Sequence, residues 1–133
     1  MKYEFEHCIG SRLRQISRLV DNIFRSALAD FDVTENQMTI LFVVSKFENV
    51  EQGVIGQVLS LERSTVSRNV KMLSNKGYIS KSLDYRPLIS LSKDGVILVN
   101  KLIPIWEDTM SLLTDKLGPK GISNLNELEQ KIK

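Results

Sequence analysis

Cysteine is nearly absent from this chain of 133 residues: Cys8 is the only one. A single thiol cannot close an internal disulfide, so the fold has to be held by its apolar core. Long apolar runs are missing too. None approaches the roughly 18 residues that a membrane-spanning helix needs, which excludes a membrane partner of that kind. Glu4 and Glu6 stand where a signal peptide would carry an apolar block, so a cytoplasmic protein is expected. Histidine is just as scarce, and the one present, His7, is the sequence neighbour of Cys8. A metal site needs three or four converging ligands, and nothing near this pair supplies the rest. There is no Gly-rich phosphate loop and no constellation of carboxylates, so no catalytic residue, metal or cofactor is expected and an enzyme lacks support. Internal repeats and low-complexity tracts are also lacking.

What is present is ordinary globular material, 42% hydrophobic and 26% charged, of a length that suits one domain with a real core. The net charge is only +2, yet it is unevenly placed. Between Glu62 and Arg86 six cations stand against two acids, a balance of +4, so the rest of the chain sums to −2. A basic island on a near-neutral chain is the footprint of a nucleic-acid contact. By charge alone, a solvated surface fits equally well.

The richest stretch runs from Glu62 to Ile79. Val66, Val70 and Leu73 recur at i, i+4, i+7 and share one helical face. At 3.6 residues per turn, Ser64, Ser67, Arg68, Lys71 and Asn75 fall on the opposite face. That outward face holds hydroxyls, an amide and two cations, with no acid. Such a face suits hydrogen bonding to base edges and pairing with phosphates.

Around it the periodicity predicts a helix over residues 3–30, on the spacing of Ile9, Leu13, Ile16, Val20, Ile23 and Ala27. A helix of that length spans roughly 40 Å, more than a small core covers, so part of its stripe should pack on a partner chain. Thr34-Glu-Asn-Gln37 is a capping-box pattern that starts a second helix, apolar nearly all round from Met38 to Val44 and therefore buried. Phe47 to Gly53 reads as a turn. A short helix over 51–59 should direct Val54, Ile55, Val58 and Leu59 inward. Gly56 within it implies close approach by a neighbouring helix. After a tight turn at Ser60-Leu61 comes the helix at 62–75, stopped by Gly77 as a left-handed cap. Tyr78–Ser82 and Leu88–Leu91 read as a small hairpin, with Pro87 at its turn or edge. Ser92 is the N-cap expected for a long helix to about Leu117, kinked at Pro104, with Val96, Val99, Leu102, Trp106 and Met110 on its apolar side. Gly118-Pro119 breaks the chain before a last helix carrying Ile122, Leu125, Leu128 and Ile132.

A short helix, a tight turn and a polar-faced helix make a helix-turn-helix, and the trailing hairpin makes it winged. The expected class is mainly α: a winged helix-turn-helix over 34–92, with recognition helix 62–75 and wing 78–91, in one domain spanning 1–133. With Leu61-Glu-Arg-Ser-Thr-Val-Ser-Arg68, Lys76-Gly-Tyr-Ile79 and Leu91-Ser-Lys-Asp-Gly95 in place, the chain resembles the MarR family of bacterial transcription regulators over nearly its full length.

That resemblance implies a homodimer joined through helices in 1–30 and 96–133. Each subunit would place its recognition helix in a major groove of double-stranded DNA and its wing near the adjacent minor groove or backbone. It also implies a repressor that releases DNA when a small amphipathic or phenolic effector binds. The wing is shorter than is usual for the family, with Asp84-Tyr-Arg86-Pro87 at its tip, so a backbone contact is the expectation there. Arg86 matches the family's wing arginine, and Asp84 the acid that braces it.

Arg68 would reach a guanine edge or a phosphate, and Lys71, one turn on, a phosphate. Ser64 and Ser67 would hydrogen-bond to bases or phosphates. The Thr65 hydroxyl would either cap the helix or touch phosphate. Arg63, Lys76 and Lys81 are candidate phosphate contacts. Cys8 reads as an ordinary thiol, since the position of the family's reactive N-terminal cysteine falls at Gly10 and no cation lies closer than Arg12. Phe24, Phe42, Phe47, Trp106 and Met110 could line a cavity, but stripes of this kind are more often core. The rival from another class is a winged-helix protein-interaction module that docks a protein partner instead of DNA.

Overall fold

The computed structural model describes residues 4–133. The expected helix start at Tyr3 lies outside the described residues. After a 3-10 turn at Phe5–His7, the elements are α1 (Ile9–Ala27), α2 (Glu35–Phe47), β1 (Val50–Glu51), α3 (Gln52–Leu59), α4 (Arg63–Asn75), β2 (Ile79–Lys81), β3 (Leu88–Leu91) and α5 (Lys93–Ile132).

The first helix is shorter than the expected span of 3–30 and matches its periodic residues, Ile9 to Ala27. Cys8 has extended backbone and serves as its N-cap, with its Sγ accepting from the Ser11 N–H at 3.4 Å. Over 19 residues α1 is about 29 Å long, against the 40 Å expected. Phe24 is its only buried residue. Ile9, Leu13, Ile16 and Leu19 are exposed.

α2 is the centre of the fold. The capping box closes as its sequence requires: the Gln37 N–H donates to Thr34 Oγ1, and the Thr34 N–H donates to Gln37 Oε1, each at 3.2 Å. Met38, Ile40, Leu41 and Val44 are fully buried, as an all-round apolar helix must be. α2 packs on α3, α4, α5 and β3. Ile55, Val66, Val70, Leu73, Ile89 and Leu102 complete the core. Of the residues expected inward from α3, Ile55 is buried, but Val58 is 50% exposed. An eight-residue helix lying over the core buries one narrow line, and Val58 falls off it.

The expected hairpin is one part of a three-stranded antiparallel sheet of order β1-β3-β2. Two residues of the predicted turn form β1, with Val50 opposite Ile89 and Glu51 opposite Leu88. Glu48, at φ +65°, ends α2 and turns the chain back onto that edge. β2 pairs with β3 through Ile79–Leu91, Ser80–Ser90 and Lys81–Ile89.

α5 is two helical segments separated at Gly118, whose φ of +69° and ψ of 172° leave the helical region, and Pro119 begins the second segment. Pro104 sits inside the first segment without leaving helical dihedrals, so the backbone break is at Gly118. No residue of α5 beyond Thr109 is buried. Among the described residues no helix is long and apolar enough to cross a membrane.

Candidate nucleic-acid interface

α4 is held in place from four sides before it presents anything outward. Its apolar face, Val66, Val70 and Leu73, is buried in the core. At its start, Ser60 takes a left-handed conformation (φ +53°, ψ +44°), and the Leu61 N–H reaches back to the Gly56 carbonyl at 3.0 Å. A Cβ on Gly56 would lie 3.1 Å from that Leu61 carbonyl and 3.5 Å from Val66 Cγ2. The close approach expected at this glycine is therefore made by the turn itself as well as by α4.

Along its flank, the buried Asn69 ties α4 to α2. Gln37 Nε2 donates to Asn69 Oδ1 at 3.2 Å and approaches Met72 Sδ at 3.8 Å. Asn69 Nδ2 donates to the Thr65 carbonyl at 2.9 Å. One glutamine thus closes the cap of α2 and fixes the rotation of α4. Sequence reading gave Gln37 only the first of these roles and did not single out Asn69. The signal was a lone amide between Val66 and Val70 on the inner flank of the helix.

At its end, α4 stops in a Schellman motif. The Tyr78 N–H bonds the Leu73 carbonyl at 3.1 Å and the Gly77 N–H bonds Ser74 at 3.0 Å, with Gly77 at φ +82°. The Leu91-Ser-Lys-Asp-Gly95 stretch locks this end to α5. Ser92 Oγ donates to the Gly77 carbonyl at 2.5 Å and accepts from the Gly95 N–H at 3.0 Å. A Cβ on Gly95 would come within 2.0 Å of the Tyr78 carbonyl oxygen, so only glycine fits.

The face left over is the one predicted by helical angle. Ser64, Ser67, Arg68, Lys71 and Asn75 are all exposed. Thr65 is half-buried, and no side chain caps α4 at Glu62. Arg63, Lys81 and Arg86 are exposed at the helix start and on the wing. Among the described residues none of Arg63, Arg68, Lys71, Lys81 and Arg86 is in an ion pair. Lys76 differs. Its Nζ donates to the Asp32 carbonyl at 2.7 Å and lies 3.3 Å from Asp32 Oδ1, so it anchors the turn before α2. The wing brace is also different from the expectation. Asp84 Oδ2 accepts from Ser82 Oγ at 2.7 Å, and no ion pair joins Asp84 to Arg86. In so short a turn the serine at its base is nearer to the acid than the arginine is.

Two clefts border α4. One, of about 740 Å³, lies between its first turn, α3 and the wing, with Arg63 and Arg86 among its lining residues. The other, of about 780 Å³, lies between α1, the start of α2 and α4, and is lined by Asp21, Arg25, Glu35, Thr65, Arg68 and Asn69. Within it the Glu35 carboxyl is pushed up to about 6, first by burial and then by the hydrogen bond and negative charge of Asp21. Neither cleft is lined by Phe24, Phe42, Phe47, Trp106 or Met110. Phe42 and Trp106 instead pack edge to face, with centroids 6.4 Å apart. His7 Nδ1 pairs with Glu4 at 3.1 Å, and the neighbouring Cys8 caps α1.

Comparison with known proteins adds to this geometry. Residues 31–86 match the family model described as MarR family. An uncharacterized HTH-type transcriptional regulator of Bacillus cereus is 25% identical over 132 residues, covering 96% of this chain and 85% of that one. Among solved structures, Bordetella bronchiseptica BpsR, described for regulation of its DNA binding by 6-hydroxynicotinic acid, has a TM-score of 0.89 at 20% identity and covers 99% of this chain and 98% of its own. A cysteine-to-serine variant of E. coli MarR complexed with operator DNA has a TM-score of 0.84 at 19% identity, covering 98% and 99%. Streptomyces coelicolor PcaV with its natural ligand has 0.85 at 17%, covering 99% and 96%. At these identities the structural likeness establishes the fold.

Proposed function

We infer that this chain is a MarR-type winged helix-turn-helix transcription regulator, which binds operator DNA through the exposed face of α4 and responds to a small-molecule effector. The observation that carries the reading is the acid-free outward face of a helix whose rotation is fixed. Ser64, Ser67, Arg68 and Lys71 are exposed, and neither Arg68 nor Lys71 is in an ion pair. A face with free cations and fixed direction can meet phosphates and base edges without first breaking internal bonds.

Roles follow from placement. Arg68, mid-helix and outward, reads a base edge through its planar fork; Lys71 neutralises a phosphate. Ser64, Ser67 and Thr65 hydrogen-bond at the first two turns. Arg63, Lys81 and Arg86 meet the backbone on either side. Lys76 positions the turn before α2 rather than reaching outward. Reading a two-fold operator needs two copies of α4, about 34 Å apart along the duplex. The exposed apolar residues of α1 and α5 supply a surface for that pairing as a homodimer. Small molecules figure in the descriptions of BpsR and PcaV, and operator DNA in that of E. coli MarR. An effector in the cleft beside Arg68 and Asn69 would bear directly on α4 and shift the equilibrium between DNA-binding and released states. Repression, rather than catalysis, is the activity this arrangement suits.

The test is affinity for a duplex enriched from a random pool. Arg68→Ala should weaken binding about 5- to 150-fold, the range of a lost bidentate contact, and affinity should fall steeply with salt. Affinity indifferent to both would overturn the reading. Retained dimerisation with no duplex binding at any salt would favour the protein-interaction module instead.

A further inference from the structure

The cleft of about 780 Å³ between α1, the start of α2 and α4 holds two acids on opposite walls: Asp21 from α1, and Glu35, the first residue of α2. Their carboxyl groups hydrogen-bond each other. A carboxylate has no donor, so that bond exists only while one proton sits between them. Among the described residues neither acid is in an ion pair. The charged groups that face the pair are two arginines. Arg25 of α1 is turned to its own helix, where Nη1 donates to Asn22 Oδ1 at 3.0 Å. Arg68 of α4 lines the same cleft and is in no ion pair either. The turn from Leu28 to Thr34 adds no titratable group to the lining, and α5 adds none. Glu35 is the better home for the proton, since it is half-buried and Asp21 is exposed. Burial and then Asp21 push its carboxyl up to about 6.

This pair sits where α1 meets the winged-helix region. One and two turns beyond Asp21, Phe24 and Leu28 are buried in the core. Two residues after Glu35, Gln37 closes the cap of α2 and holds Asn69 of α4. A tie at Glu35 therefore acts on the segment that sets the rotation of α4. With the proton in place the pair carries one negative charge. Without it, two carboxylates repel each other across the cleft. The doubled charge also draws Arg68 inward, away from an approaching duplex.

We propose that Asp21 and Glu35 form a proton latch: the shared proton closes α1 on the start of α2 and leaves Arg68 free for DNA, and its loss opens the cleft and weakens the operator complex. The proposal rests on the reading of α4 as the DNA-contacting helix, and it makes the proton an effector in its own right. Phosphates arriving at Arg68 favour the form of the pair with fewer negative charges. Duplex and proton therefore bind together, and by linkage each raises the affinity for the other. Operator affinity rises as pH falls through 6.

The test uses full-length protein and a duplex enriched by the wild type from a random pool, with affinity followed from about pH 5 to about pH 7.5 at constant ionic strength. Wild-type affinity should fall about fivefold or more over that range, the low end of ordinary coupling between two sites. Calorimetry in buffers of different ionisation heat should show proton uptake on binding near pH 6. Glu35→Gln keeps a donor for Asp21 and cannot ionise. It should bind at about pH 7.5 as the wild type does at about pH 5, with its pH dependence flattened. Asp21→Asn, at an exposed position, should move the midpoint to lower pH. His7→Gln removes the only histidine and should leave the dependence in place. If wild-type affinity is flat or rises with pH while Arg68→Ala still loses affinity, the latch is overturned and the reading of α4 stands. If the dependence survives in Glu35→Gln, or vanishes in His7→Gln, the latch is equally overturned. If no duplex is enriched at any pH, both fall.

Discussion

Between Thr34 and Ser92, Met38, Ile40, Leu41, Ile55, Val66, Val70 and Leu73 close into one buried core. In α1, residues with the same chemistry and the same helical spacing stand open, Ile16 at 54% and Leu19 at 64% exposure. α5 repeats the contrast within one element: Leu98, Val99 and Leu102 are buried, whereas Leu112, Leu117, Leu125 and Ile132 are exposed. Apart from the wing tip at Leu83 and Tyr85 and single positions such as Val58, the winged-helix region buries its apolar residues internally; the terminal helices leave whole stripes open. Contiguous exposed apolar surface of this kind marks an interaction site. One region is complete as a single chain, and the other has the form of half an interface.

The largest expected effect falls where the two regions join. Gly95→Ala drives a methyl into the Tyr78 carbonyl and should cost more than about 4 kcal/mol, or prevent folding, in urea unfolding. Near-wild-type stability would mean that α5 does not dock on the wing as described. Inside the complete region, Asn69→Ala removes the buried acceptor of Gln37 and should cost about 1–3 kcal/mol by thermal or urea melting. Ser67→Ala, on the exposed face of the same helix, should stay within about 0.5 kcal/mol. Equal effects at the two positions would erase the inner and outer sides of α4.

A smaller effect reports on the cleft between the regions. Glu35 sits at about 6 against an ordinary 4.5 because burial and Asp21 disfavour its charge. The folded chain thus holds a proton there more tightly than the unfolded chain does. The stability this adds is full below pH 4.5, is lost as pH rises through 6, and is absent at neutrality. After discounting for solvent screening, it is on the order of 1 kcal/mol. Glu35→Gln should flatten that part of the stability–pH curve. An unchanged curve would mean that neither burial nor Asp21 disfavours the Glu35 charge in the folded chain.

Local chemistry made much of this legible in the sequence. The outward face of α4, the Thr34 capping box, the stop at Gly77 and the cap at Ser92 each depend on residues within one or two turns. What escaped depends on distant partners. β1 exists because Val50 and Glu51 meet the free edge of β3, and two residues show no alternation of their own. Gln37 and Asn69 are 32 positions apart, and Lys76 and Asp32 are 44 apart, so spacing announces neither pair. Within the wing the error was of another kind. Charge suggested that Asp84 would brace Arg86, but a hydroxyl two residues away reached the carboxylate first. At its ends, α1 is shorter than the expected span of 3–30: the helix runs from Ile9 to Ala27, the first and last members of its own periodic stripe, and Cys8 caps it with extended backbone.

The measurement that bears most directly on the contrast between the two regions is DNA affinity in a chain that folds but cannot pair. Ile16→Asp/Leu19→Asp places two charges on the exposed stripe of α1, far from the winged-helix core. Sedimentation should show a monomer, circular dichroism should show a helix content near wild type, and affinity for a two-fold duplex should fall at least about a hundredfold with loss of the second half-site. A variant that still sediments as a dimer, or a monomer that binds the duplex as tightly as wild type, would contradict the account.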